Sequence, residues 1–175
     1  MNLNYRTDLN FAKWGIFSNI DYVAPNERLK ASFGIRADAT SYSAIMNKIH
    51  KQISPRLSLS YRLIDNLNAS GNIGRYYQLP PLTALGFKNN EGQYVNKELD
   101  YMRVDQISGG FNWSIRNNIE VSLEGFYKQY NNMPLSIEDG IPLMSKGDDY
   151  GIIGNEYLRS SSKGDSYGVE LLARW

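Results

Sequence analysis

Glu120 and Glu124 fall in the same phase of an extended chain, so a strand would carry both carboxylates on one face. Paired carboxylates can act as general acid and base, but that work needs a pocket and a raised pKa, neither of which the sequence shows. Ion pairing with basic neighbours such as Arg174 or Lys128 is the expected fate of these two groups. Asp139, Asp148 and Asp149 lie in a Gly-rich stretch and could offer oxygens to calcium, but their spacing matches no EF-hand loop. A solvated loop accounts for them.

His50 is the single histidine and there are no cysteines. A His-based metal triad, a Ser-His-Asp triad and a thiolate site are therefore excluded within the chain. His50 reads as a loop residue, and no catalytic residue, metal or cofactor is expected. Gly71, Gly74, Gly109 and Gly110 match no phosphate-loop pattern and are expected to serve curvature or close packing. Tyr76, Tyr77, Gln78, Tyr94 and Tyr101 cluster in or beside one polar gap. Tyrosine joins a rigid ring to a polar tip, so the cluster suits either ligand contact or rim anchoring and loop self-packing, and both readings stand open. With 19 basic and 18 acidic residues the charges balance, and no nucleic-acid partner is expected.

The elements that must position these residues are strands. From Gln106 to Lys128 one phase reads Ile107, Gly109, Phe111, Trp113 and Ile115, then Ile119, Val121, Leu123 and Tyr127. The other reads Gln106, Ser108, Asn112 and Ser114, then Glu120, Ser122, Glu124 and Lys128. Side chains alternate with period 2 in a strand, so this is a hairpin with one apolar and one polar face. Arg116-Asn117-Asn118 supplies its turn, because Asn tolerates the left-handed backbone. The same alternation predicts seven strands, at about 14–23, 29–38, 56–63, 67–77, 103–115, 119–130 and 166–175. Phe126 and Leu172 break the polar phase. The expected fold is all-β, an antiparallel up-and-down meander.

The connections alternate between short (24–28, 64–66, 116–118) and long (39–55, 78–102, 131–165). In a meander this sends every short turn to one end and every long loop to the other, the pattern of outer-membrane barrels. No charge interrupts the middle of any apolar face; Arg75, Arg103 and Asp105 share the apolar phase only at long-loop ends. Two aromatic belts flank that band, Trp14, Tyr127 and Tyr167 at the long-loop end and Tyr22, Trp113 and Trp175 at the short-turn end. The predicted strands run from eight to thirteen residues, around the ~9–11 that a tilted membrane strand needs. MNLNYRTDLNF lacks the basic-then-apolar pattern of a signal peptide, and no apolar run suits a membrane helix. A soluble sandwich or a lipocalin-like barrel binding an apolar ligand, with the apolar faces inside, is the competing arrangement.

GRYYQLPP at 74–81, LEGFYKQY at 123–130 and GDSYGVELLARW at 164–175, with ISPRLSLSYRL at 53–63, resemble the barrel of TonB-dependent outer-membrane receptors. The resemblance runs from about Asp8 to Trp175. It implies a large barrel of about 22 strands around an N-terminal plug, with ligand bound at the outside and a short N-terminal box contacting the energy transducer. Plug and box have no counterpart here, so the chain looks like an internal piece of a receptor barrel in the outer membrane of a Gram-negative bacterium. The expected partners are outer-membrane lipid, an imported scarce solute (an iron chelate, cobalamin, glycan or peptide) and, through N-terminal regions beyond this chain, the TonB system. Arg36, Tyr76, Tyr77, Gln78, Gln106, Asn112 and Lys128 are the candidate contacts to solute or plug, at the lumen or its mouth. A non-transporting structural or adhesive barrel is the alternative.

Overall fold

Alternating sequence becomes hairpins here because each short connection carries the turn chemistry it needs. In the computed structural model, which describes residues 7–116, 118–146 and 153–175, the first is 24–28. There Asn26 Oδ1 accepts the Arg28 N–H at 3.1 Å, and the Ala24 N–H donates to the Leu29 carbonyl at 2.9 Å. Glu27 takes the left-handed conformation, φ 54°, that closes the turn. Asn117 lies outside the described residues.

Seven strands form one antiparallel sheet in sequence order: β1 (Lys13–Val23), β2 (Leu29–Thr40), β3 (Ile53–Ile64), β4 (Leu67–Gln78), β5 (Met102–Arg116), β6 (Ile119–Ser136) and β7 (Leu158–Arg174). The meander is as the alternation predicts, and four strands run farther than it does by two or more residues at one end. β2 gains Ala39 and Thr40, and β3 begins at Ile53, upstream of Pro55. β6 and β7 pair on past the apolar band as far as Ser136 and Leu158. Alternation misses this extension because Asn132, at φ 57°, sits in a bulge between Tyr130 and Met133 that resets the phase.

The register is set by the apolar rows. Ile20, Phe33, Leu57, Ile73, Ile107, Tyr127 and Tyr167 are successive cross-strand partners. That row lies close to the short turn on β1 and well above the strand end at Arg174 on β7. Such a stagger is the shear that tilts the strands of a barrel wall.

Among the described residues, nothing covers the apolar face of the sheet. Even in the middle strands Ile107 and Phe111 are each 51% exposed and Leu123 is 45% exposed. Trp14, Tyr22, Trp113, Tyr127, Tyr167 and Trp175 are exposed as well. The accessible surface is 12147 Å² for a 19.9 kDa chain, against roughly 8,700 Å² for a compact monomer of that mass. The sheet is therefore a wall rather than a closed sandwich.

The buried apolar cluster lies in the long connections. Tyr42 and Met46 come from the first; Ala84, Leu85, Leu99 and Tyr101 from the second; Leu143 from the third, beside Leu158 where β7 begins. A four-residue helix, α1 (Leu82–Leu85), sits in this cluster. No helix among the described residues is long and apolar enough to cross a membrane.

Candidate functional site

Gly34, Arg56, Gly74, Gln106, Lys128 and Ser166 are successive cross-strand partners on the polar face. Two glycines in this region make room for rings. A Cβ at Gly74 would lie 3.1 Å from the Tyr76 ring, and one at Gly168 would lie 2.9 Å from the Phe126 ring. Each ring carries a cation: the Arg56 guanidinium is 4.6 Å from the Tyr76 centroid and Lys128 Nζ is 5.1 Å from that of Phe126. Glycine, ring and cation thus stack in the same way at two places on one face. This accounts for Phe126, which the alternation alone leaves as an exception.

Below this row runs a hydrogen-bonded chain. Gln106 Nε2 donates to Asn72 Oδ1 at 3.4 Å, Asn72 Nδ2 to Ser108 Oγ at 2.7 Å, and Ser108 Oγ to Glu124 Oε1 at 2.6 Å. Glu124 stands directly opposite Glu170. Glu120 pairs with Arg174 at 3.2 Å, the ion pair its sequence suggests. Glu124 takes the Ser108 hydroxyl.

Basic groups gather toward β2 and β3. A cavity of about 220 Å³ on the polar face is bordered by Asn19, Ser32, Arg36, Arg56 and Ser58. Another of about 350 Å³ nearer the short turns is bordered by Arg28, Lys30 and Arg62, with Glu27 and Asp65. Arg36 is held by Asp38 through bonds of 2.7 and 2.8 Å, which fixes its fork at the upper end of the strand.

The structure therefore brings Arg36, Tyr76, Gln106 and Lys128 onto one face, in neighbouring rows. Asn112 shares the face but lies lower, between Asn68 and Ser122. Gln78 ends β4 opposite Met102. Tyr77 falls in the other phase and meets Tyr101 edge-on, centroids 6.5 Å apart. Arg56, Asn72 and Phe126 join the site without being foreseen. Their signal was available: each lies in polar phase beside a predicted contact once the register is known.

The loop end is tied by buried bonds. Tyr42 Oη donates to the Leu85 carbonyl at 2.8 Å. Asn96 Nδ2 donates to the carbonyls of Ala84 and Glu156 at 2.8 and 2.9 Å, while its Oδ1 accepts the Leu158 N–H at 2.9 Å. One amide thus joins the second and third loops. Burial pushes the phenols of Tyr42 and Tyr101 up to about 12. Tyr94 bonds the Asp8 carbonyl, so of the tyrosine cluster Tyr77, Tyr94 and Tyr101 serve loop packing and Tyr76 faces the polar side.

Asp139 is no open cation site, because Lys146 Nζ sits 2.8 Å from it and also bonds Glu156 at 2.7 Å. Asp148 and Asp149 lie outside the described residues. Exposed His50 belongs to the 3-10 turn Ile49–Lys51 in the first loop. No cluster of His, Cys, Asp and Glu fit to hold a metal occurs among the described residues.

A family model described as TonB dependent receptor-like, beta-barrel matches residues 2–175. Among solved structures, the siderophore receptor PirA from Pseudomonas aeruginosa aligns with TM-score 0.66 at 16% identity, covering 92% of this chain and 28% of that one. The copper transporter OprC aligns with TM-score 0.63 at 14% identity, covering 93% and 26%. The FrpB iron transporter from Neisseria meningitidis aligns with TM-score 0.63 at 10% identity, covering 93% and 23%. The chain spans about a quarter of the length of these receptors. No curated protein sequence gives a significant match.

Proposed function

We propose that this chain, which belongs to the TonB-dependent receptor β-barrel family, forms part of the wall of an outer-membrane importer. Its apolar face meets hydrocarbon, its polar face lines the lumen, and its three long loops cap the outer mouth. The observation that carries this reading is the exposed apolar face beside a core gathered at the loop end of the sheet. Soluble monomers rarely expose an apolar patch above a few hundred Å². Here the face spans all seven strands, and its charges sit only at the loop end.

The lumen chemistry favours an anionic solute. Arg36, Arg56 and Lys128 present cations, Tyr76 and Phe126 present ring faces, and Gln106 offers an amide between them. The structural neighbours named above include a siderophore receptor and iron and copper transporters. A metal chelate bearing negative charge fits both lines of support. The facing pair Glu124 and Glu170 has a different use, because two like charges directly opposed favour a cation between them. A basic side chain of a plug would satisfy it.

The test is an alternation experiment in the intact receptor. Leu123→Arg puts a charge on the proposed hydrocarbon face and is expected to cost ~2–4 kcal/mol at the midplane. Ser122→Arg on the lumen side is expected to leave folding nearly unchanged. Equal tolerance of both, with the receptor folded in lipid, would overturn the orientation.

A further inference from the structure

On the apolar face, β4 presents Arg75, Ile73, Gly71, Ala69 and Leu67 in order from the loop end. Its flanks are larger. β3 places Leu57, Leu59 and Tyr61 alongside, and β5 places Ile107, Phe111 and Trp113, with Gly109 opposite Gly71. At Gly71 and Ala69, β4 is thus the floor of a trough between two apolar walls, with exposed Ile73 at its upper end.

Among the described residues, neither close contact nor backbone conformation requires the glycines in it. A Cβ at Gly71 or Gly109 would approach no atom closer than 3.4 Å, and neither residue has positive φ. At the upper end the trough opens into a cavity of about 540 Å³, bordered by Phe33, Leu57, Ile73, Ile107 and Tyr127 with Arg75 and Asp105 at its rim.

Around Asp105 the rim carries a surplus positive charge, while Asp165, two strands away in the same row, is engaged by the Tyr127 hydroxyl. Arg75 engages both oxygens of Asp105, at 2.5 and 3.3 Å. Arg103 Nε lies 3.2 Å from Asp105 Oδ2 and has no hydrogen-bond partner. Two guanidiniums thus share one carboxylate.

We propose that this trough is a docking site for one phosphate-bearing lipid, its phosphate at Arg75 and Arg103 and an acyl chain along β4. The inference rests on the lipid-facing orientation proposed above. The dimensions agree. Ile73 to Leu67 is about 20 Å of strand, or roughly 14 Å of depth at 45° tilt, against about 15 Å for one hydrocarbon leaflet. Guanidinium forks match phosphate oxygens in geometry as well as charge.

The experiment is native mass spectrometry of the intact receptor, released from detergent after exposure to phosphatidylglycerol or phosphatidylcholine with identical acyl chains. One phosphatidylglycerol retained per chain, in preference to phosphatidylcholine, is expected. Arg75→Gln with Arg103→Gln is expected to lower that retention about tenfold, the scale of a lost charge-assisted hydrogen bond. Gly71→Leu, which fills the trough, is expected to lower retention of both lipids. Retention of neither lipid, unchanged retention in both variants, or a protein neighbour seated in the trough overturns the proposal. Quenching of Trp113 fluorescence by brominated acyl chains separates the two levels. Quenching without retention sinks the lipid site alone, and absence of quenching sinks the orientation beneath it.

Discussion

Glu124 and Glu170 stand directly opposite one another across β6 and β7, both exposed on the polar face. The neighbouring glutamate, Glu120, has Arg174 as its partner across the same pair of strands. The contrast leaves Glu124 and Glu170 without an ion-pair partner among the described residues, and the proposed function supplies their cation from elsewhere. Glu170→Gln is expected to stabilise a plug-free barrel by about 0.2–1 kcal/mol, the cost of like charges directly opposed. In the intact receptor it is expected to lower the urea concentration at which the plug is released. Opposite signs in the two backgrounds, read from urea titrations, are the predicted signature.

Gly110 differs from its neighbour Gly109. A Cβ at Gly110 would lie 2.1 Å from the Leu123 carbonyl oxygen and 2.8 Å from Glu124 Cα, both backbone atoms. Gly110→Ala must therefore force β5 and β6 apart. It is expected to prevent folding in lipid or to cost about 3 kcal/mol or more, as overpacking at rigid backbone does. Gly109→Ala is expected to change stability by less than about 1 kcal/mol. Heat-modified gel mobility of the two variants checks this.

The loop cap is expected to titrate. Tyr42 and Tyr101 have their phenols raised from 10.0 to about 12, burial being the larger cause in each. The uncharged form is the one packed in the cap, so this stabilisation is full below pH 10 and is lost as the pH climbs through about 12. Hydrogen exchange at Leu85 and Leu158 is expected to quicken over that window while the amides of β4 and β5 stay protected. Tyr42→Phe removes the bond to the Leu85 carbonyl and is expected to cost about 1 kcal/mol of cap stability at neutral pH.

Solute binding is expected to depend on stacked cations rather than on cation count. Tyr76→Ala takes away the ring under Arg56, and is expected to weaken binding of an anionic metal chelate about tenfold, on the scale of a desolvated cation–π contact together with its ligand bond. Arg62→Gln, on the same strand but near the short turns, is expected to change affinity less than about threefold, as for a screened surface charge. Equilibrium binding by fluorescence quenching distinguishes the two.

Much of this was legible in the sequence, for a physical reason. A strand exposed to apolar surroundings on one side and water on the other must alternate, so Ile107 to Trp113 and Ile119 to Leu123 declare their faces residue by residue. The hairpin ends were legible because Asn26 and Asn66 sit where turns need them. The upper reaches of β6 and β7 were not, since the Asn132 bulge resets the phase and Pro134 reads as a strand breaker. The loop core was hidden because it is assembled from three distant segments, around Tyr42, Leu85 and Leu143, with no strand period linking one to another. The stacking of Arg56 on Tyr76 depends on cross-strand register, which turn lengths constrain only loosely. The trough along β4 needed the glycines to be seen open to the outside, which a one-dimensional pattern does not contain.

The orientation of the sheet underlies every reading above, and adjacent positions on β6 test it most directly. Spin labels at Leu123→Cys and Ser122→Cys, placed separately in the intact receptor in bilayers, report their surroundings through collisions with oxygen and with a water-soluble nickel chelate. Leu123 is expected to favour oxygen and exclude nickel, and Ser122 to do the reverse. Nickel reaching position 123 as freely as 122, or oxygen enriched at 122 instead, would contradict it.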